Sequence, residues 1–197
     1  MIYLIILAII AFILSLPKVK GIIGETAVSG LLSSLDSEEY KVLNDIMIRK
    51  KDGKTTQIDH IIVSDYGIFV IETKNYAGWI FGKENDKYWT QVLNKRTKNK
   101  FFNPIFQNKG HINALKELIC KDIPYYSIVA FSTKATLKNK MSNVVYMSQL
   151  NKAIRQYTDK AISKKEVINI CNIIKRANIL DKEVKKEHVK MVRSKKV

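Results

Sequence analysis

Cysteine is scarce: Cys120 and Cys171 are the only two in 197 residues. That excludes a disulfide scaffold, provides no paired-cysteine metal motif, and fits a reducing compartment. Eight glycines and three prolines exclude collagen-like or linker-like sequence. The acids are the minority charge, with 18 Asp plus Glu against 34 Lys plus Arg and a formal net charge of +16. Such an imbalance calls for a polyanionic partner, either nucleic acid or an anionic membrane surface, and says nothing of fold. No H-x-x-x-H spacing suits zinc, no G-x-S-x-G elbow presents a nucleophile, and no glycine-rich loop cradles phosphate. Gly78 and Gly82, which flank Trp79-Ile80-Phe81, read as turn residues. There is no internal repeat.

Apolar residues make up 46% of the chain and aromatics 9%, enough for a packed core and against a wholly disordered chain. The apolar residues are concentrated first at the N-terminus, where Ile2 to Leu16 holds Ser15 as its one polar side chain before Pro17, Lys18 and Lys20. As a helix this stretch is roughly 22 Å long, short against a hydrocarbon core of about 30 Å. No Lys or Arg precedes it and no A-x-A-like site follows, which argues against a cleaved signal peptide. A helix apolar all round needs protein or lipid on every side. The expectation is therefore a single-pass membrane anchor over residues 2–16. The positive charges after it place the globular part in the cytoplasm.

Gly21 to Gly24 reads as a joint, so that residues 1–20 form anchor and joint and 21–180 a folded domain. From Glu25 the spacing of Val28, Leu31, Leu32 and Leu35 predicts an amphipathic helix. Tyr40 to Ile48 predicts a strand, followed by a polar turn at Asp52-Gly53. Gln57 to Val63 and Ile68 to Thr73 are β-branched runs separated by Ser64 to Gly67, a hairpin signal. Trp79 to Phe81 and Tyr88 to Leu93 predict shorter strands. Asn103-Pro104 predicts a capped helix running to about Cys120. Strands at Tyr125–Phe131 and Val144–Met147, then helices at Leu150–Tyr157 and Val167–Leu180, complete the order. Residues 181–197 carry seven Lys or Arg against three acids and read as a frayed basic tail. A mixed α/β order of this kind implies a sheet with helices packed on it.

The hairpin carries the chemistry. With Ser64 facing Gly67 across the turn, antiparallel pairing sets Asp59 opposite Glu72 and Gln57 opposite Lys74. Alternation puts Glu72 and Lys74 on one face. Opposed residues have Cβ atoms about 4.5–5.5 Å apart, and like charges so placed destabilise a hairpin. Asp facing Glu makes sense if a divalent cation lies between them. Hard oxygen ligands suit Mg²⁺, with Mn²⁺ as a substitute. A lysine beside the pair orients or helps deprotonate a water, or stabilises charge growing on a phosphate. Taken alone, Glu-x-Lys on a strand is a common surface ion pair; the facing Asp59 and the surrounding apolar residues set this one apart.

These residues have a wider context. Gly24-Glu25, Gln57-Ile58-Asp59-His60, Gly67 to Tyr76 with its Ile71-Glu72-Thr73-Lys74-Asn75 core, Gly78, Gly82, Trp89 and Asn103-Pro104 with Gln107 together resemble the nuclease-related domain, NERD, over about residues 20–120. That family belongs to the PD-(D/E)xK, restriction-endonuclease-like superfamily. The resemblance implies a mixed central sheet flanked by helices and metal-dependent cleavage of nucleic acid, DNA or RNA, with DNA the first expectation. It implies that Asp59 and Glu72 hold the metal, that Lys74 is the catalytic lysine, and that Glu25 is a further ligand. Gln57 and Gln107 match polar positions of the family, Gln57 among the catalytic residues and Gln107 as a nucleic-acid contact. Ile58 stands where the superfamily signature has Pro, which no chemistry requires.

His60 alternates away from Asp59 and is expected to pack or hydrogen-bond rather than ligate. Lys83 to Lys100 interleaves six Lys or Arg with Tyr88 and Trp89. Lys83, Lys87 and Trp89 are accordingly nucleic-acid contact candidates, although a solvated face accounts for the charges equally well. The reading is a membrane-anchored, Mg²⁺-dependent nuclease. The alternative is a non-catalytic module that binds nucleic acid or docks a partner on the same fold, and a third reading has the basic tail recognise lipid.

Overall fold

The structure is a computed structural model that describes residues 2–194. Its N-terminal apolar run forms helix α1 (Ile2–Ser15). Leu16 adopts an extended conformation and Pro17 opens α2 (Pro17–Leu32), because proline suits a first helical turn and cannot continue a preceding one. The joint expected at Gly21 to Gly24 lies inside α2. Among the described residues no helix is long and apolar enough to cross a membrane, so the structure does not show the single-pass span expected of residues 2–16. Ile6, Leu7, Ile9 and Phe12 of α1 are nonetheless all exposed.

Two mixed sheets form the body, where the sequence suggested one central sheet. The first has strand order β1 (Tyr40–Arg49), β2 (Thr55–Ser64), β3 (Gly67–Lys74), β7 (Tyr125–Phe131) and β9 (Val144–Tyr146). Pairs β1–β2 and β2–β3 are antiparallel; β3–β7 and β7–β9 are parallel. The second has order β6 (Lys98–Phe102), β5 (Tyr88–Val92), β4 (Gly78–Phe81) and β8 (Ala135–Leu137). Strands β6 and β8 are too short and too polar to stand out in the sequence.

Helices α3 (Pro104–Ile119) and α5 (Lys164–Ala177) cover one face of the first sheet. Val70 and Ile61 pack there with Leu115 and Ile170. Helix α2 and the short α4 (Leu150–Ile154) cover the other, where Phe69 and Ile71 meet Val28, Leu32 and Leu150. Beneath the second sheet, Trp89 and Ile80 pack with Phe131 and Val129. The expected cap is present, the Asn103 side chain accepting from Ile105 N at 2.9 Å, and Ser163 with Glu166 forms a capping box that starts α5 ahead of the expected Val167.

Residues 182–194, expected to fray, form helix α6 (Lys182–Ser194). Asp181 accepts the amides of Glu183 and Val184 at its start, at 2.7 and 3.1 Å. It is held to the domain by Lys185 Nζ on Asp45 Oδ2 at 2.8 Å and by a hydrogen bond between His188 Nδ1 and Thr55 Oγ1 at 2.8 Å. Residues 195–197 of the basic tail lie outside the described residues.

Candidate active site

The hairpin register is the one expected, with Ser64 opposite Gly67 and His60 opposite Ile71. Pairing stops there. Beyond it, the Asp59 carboxylate takes the strand's place and accepts the Thr73 amide on Oδ2 at 2.8 Å. The cause lies in β1, where Asp45 adopts φ 51° and drops out of the β1–β2 ladder between Asn44–His60 and Ile46–Ile58. Aspartate tolerates this left-handed conformation better than most residues. The kink shifts the alternation: Ile61 and Val63 share a core with Ile58, and Leu43 shares it with Ile46 and Ile48.

Gln57 is therefore not opposite Lys74. It pairs with Met47 and donates to Asp45 Oδ1 at 2.5 Å. Thr56 occupies the place next to α3 instead, through its hydroxyl and His111 Nδ1 at 2.8 Å.

Four side chains converge at the end of β3. Lys74 Nζ donates to Glu72 Oε1 at 2.5 Å and to Gln107 Oε1 at 3.1 Å. The other Glu72 oxygen faces His111 Nε2 at 3.3 Å. An ionised carboxylate only accepts, so Nε2 is the donor and Nδ1 of a neutral ring accepts from Thr56. Gln107 and His111 lie one helical turn apart, which puts both on the face of α3 that meets β3. That i, i+4 spacing was the sequence signal for His111, which the sequence reading did not place in the site. Gln107, expected to contact nucleic acid, is a partner of Lys74.

Helix α3 is pinned there by Asn108. Its buried amide donates to Val70 O at 2.7 Å, Ser127 Oγ at 3.0 Å and Ile128 O at 3.2 Å, tying β3 to β7.

Glu25 comes from α2. Gly24 lets that helix approach, since a Cβ at this position would lie 2.6 Å from Asn75 Cβ. Asn75 Nδ2 in turn donates to Lys20 O at 2.7 Å.

The charges compete. Burial works to raise the Glu72 pKa, but the Lys74 charge and the His111 contacts outweigh it and leave Glu72 below its ordinary value. Burial works to lower the Lys74 pKa, and the Glu72 carboxylate reverses this and keeps Lys74 a firm cation. Asp59 is pushed well above the usual carboxylate range, first by burial and then by the Glu72 charge, against Lys74 and the Thr73 amide. Burial, then Asp45 and Glu72, also raise Glu25. Three carboxylates thus resist simultaneous ionisation around one lysine.

His60 is buried, with Nδ1 on Asn44 Oδ1 at 2.8 Å, and its desolvation lowers the pKa to about 4. It packs and bonds, as its alternation implied.

The remaining candidates are dispersed. Lys83 and Lys87 are exposed on the turn before β5. Trp89 is buried, 1% exposed, stacked on Phe131 at 6.1 Å with its Nε1 on Lys83 O at 3.0 Å. Its ring faces the core, not solvent.

A mixed sheet that brings two carboxylates and a lysine together on adjoining strands, with a glutamine and a histidine from the covering helix, defines a class of acid–lysine sites. The nuclease-related domain matches residues 20–132, and the chain belongs to that family. It is also similar to the uncharacterized protein pXO1-01 of Bacillus anthracis, with 44% identity over 184 residues, which cover 91% of this chain and 86% of that protein. No solved structure matches the chain significantly.

Proposed function

We propose that this chain is a nuclease that hydrolyses phosphodiester bonds with a divalent cation, Mg²⁺ or Mn²⁺, and that nucleic acid, DNA first, is its substrate. The convergence of Asp59, Glu72 and Lys74 where β2 and β3 part carries the reading, and membership of a nuclease-related family supports it.

Among the described residues no three His, Cys, Asp or Glu form a ready metal-holding group. Mg²⁺ usually takes one or two carboxylates and fills its shell with water and phosphate oxygens. Asp59 and Glu72 are the oxygen donors of this kind, with Glu25 nearby. Their mutual charge repulsion is what a cation relieves. When bound there, such an ion polarises a phosphodiester and acidifies a water.

The chain's own residues do the rest. Lys74, held charged by Glu72 and steered by Gln107, presents a cation to a phosphate oxygen. Held in this way it suits charge stabilisation better than proton removal. His111, itself held by the Thr56 hydroxyl, holds the second Glu72 oxygen. Residues 2–16 attach the chain to a membrane with the globular part on the cytoplasmic side, a reading supported by the exposed apolar surface of α1 and the lysines after it.

One observation favours a second reading. Both Glu72 oxygens already have partners in Lys74 and His111, as they would in a module that binds nucleic acid without cutting it.

Asp59→Asn separates the two readings, because the amide oxygen still accepts the Thr73 N–H while the charge is lost. The full chain in mild detergent is titrated with Mg²⁺ and assayed for nicking of supercoiled plasmid. A nuclease loses at least ~10²-fold of its nicking in the variant, with an unchanged circular-dichroism spectrum. Wild-type protein that binds plasmid but never nicks it, at any Mg²⁺ or Mn²⁺ concentration, establishes the binding module.

A further inference from the structure

We infer that the outer face of the second sheet is a platform for single-stranded nucleic acid. It deepens the nuclease reading, on which its role in presenting substrate rests, but the binding itself does not depend on that reading.

The register assigns the face. Trp79 pairs with Val92, Phe81 with Thr90, Tyr88 with Phe102, and Lys100 with Thr90. Alternation puts Ile80 and Trp89 inside, against the core, and these partners outside. Exposure agrees: Trp79 is 52% exposed, Phe81 40%, Tyr88 42% and Phe102 43%. Four large aromatic residues on one open sheet face are more than a scatter of surface apolar residues needs.

Cations accompany the rings. Lys98 and Lys100 are exposed at the outward positions of β6, Lys138 Nζ lies 4.5 Å from the centre of the Trp79 ring, and Lys87 Nζ lies 5.5 Å from that of Tyr88. None of the four strands contains Asp or Glu. This charge pattern complements a phosphate backbone.

The rings decide the form of the strand. Base faces are covered in a duplex and open in a single strand, where they stack on aromatic side chains while lysines follow the phosphates. The platform also leads to the candidate active site. The Phe102 ring lies 6.4 Å from that of Phe106, the residue before Gln107, and β4 begins four residues after Lys74. A strand laid across the face is thereby delivered to Lys74.

Intrinsic fluorescence of the full chain in mild detergent tests this, with EDTA present so that no cleavage enters. The chain has two tryptophans, of which Trp79 is exposed and Trp89 buried. Oligothymidylate should quench the exposed one and bind at least about tenfold tighter than a duplex of equal length. Trp79→Ala and Tyr88→Ala should each raise the oligothymidylate Kd about tenfold, the loss of one stacked base. Trp79→Phe should keep the affinity and lose the quench. Lys98→Gln with Lys100→Gln should flatten the salt dependence.

Unchanged affinity in both alanine variants overturns the inference, as does equal or better binding of duplex. Quenching of Trp79 by anionic vesicles but not by oligothymidylate overturns it in favour of lipid. Because no metal is present, the same samples restored to Mg²⁺ report separately on the nuclease reading.

Discussion

Glu72 and Lys74 make a pair whose removal is expected to cost more than a surface ion pair. Their side chains are 3% and 14% exposed and 2.5 Å apart. Breaking such a pair from one side leaves a buried charge, at about 3–5 kcal/mol. Glu72→Ala should therefore lower stability by that order in urea denaturation. Glu72→Ala with Lys74→Met should recover a substantial part of the loss, because no charge remains buried. A double variant no more stable than Glu72→Ala contradicts the account of Lys74 as a cation held by one carboxylate.

His60 gives a pH dependence of known sign. Its folded pKa, about 4, lies below the ordinary 6.5 because burial disfavours the charged ring. Between these values the unfolded chain binds the proton and the folded chain does not. The contribution of His60 is complete above pH 6.5 and falls away as the pH drops toward 4. The span corresponds to about 3 kcal/mol. His60→Gln should flatten that part of the stability–pH curve measured by denaturation at each pH. An unchanged acid limb means that other groups set it.

Among the elements, α2 owes its close approach to β3 to one small residue, Gly24. Gly24→Ala puts a methyl group 2.6 Å from Asn75 Cβ, so the helix or the chain after β3 has to move. The expected loss is about 1–3 kcal/mol, a typical overpacking cost, and it outweighs the gain of alanine in a helix. Glu25 moves with the helix, so nicking should fall in Gly24→Ala beyond what the folded fraction explains. Gly30 is the control. It lies on the same helix, an added Cβ there meets nothing within 4 Å, and Gly30→Ala should be neutral or stabilising.

The molecule's charge and its apolar helix make separate demands. A net charge of +16 draws the chain to polyanions of any kind, whereas α1 exposes Ile6, Ile9 and Ile13 to solvent. If α1 attaches the chain to a bilayer, the full chain floats with vesicles at high salt, where charge attraction is screened. Ile6→Asp with Ile9→Asp should leave it at the bottom of the gradient. Flotation of wild type at low salt alone shows that the lysines, not α1, hold the lipid.

The sequence was sufficient wherever the physics is local. β-Branched runs marked β2 and β3, Asn103-Pro104 marked the start of α3, and the two residues between Ser64 and Gly67 set a hairpin register that the structure reproduces. That register already brought Asp59 toward Glu72. What lay beyond it depended on other elements. The left-handed Asp45 in β1 turned Gln57 away from Lys74. Helix α3 brought His111 and Gln107 to Glu72 and Lys74, and α6 docked where composition suggested fraying. Trp89 and Trp79 show the same division. Both are strand tryptophans among lysines, and only the packing of the second sheet on Phe131 buries one and leaves the other in solvent. A strand's own pattern tells which residues share a face, but which face meets solvent is set by what the rest of the chain packs against it.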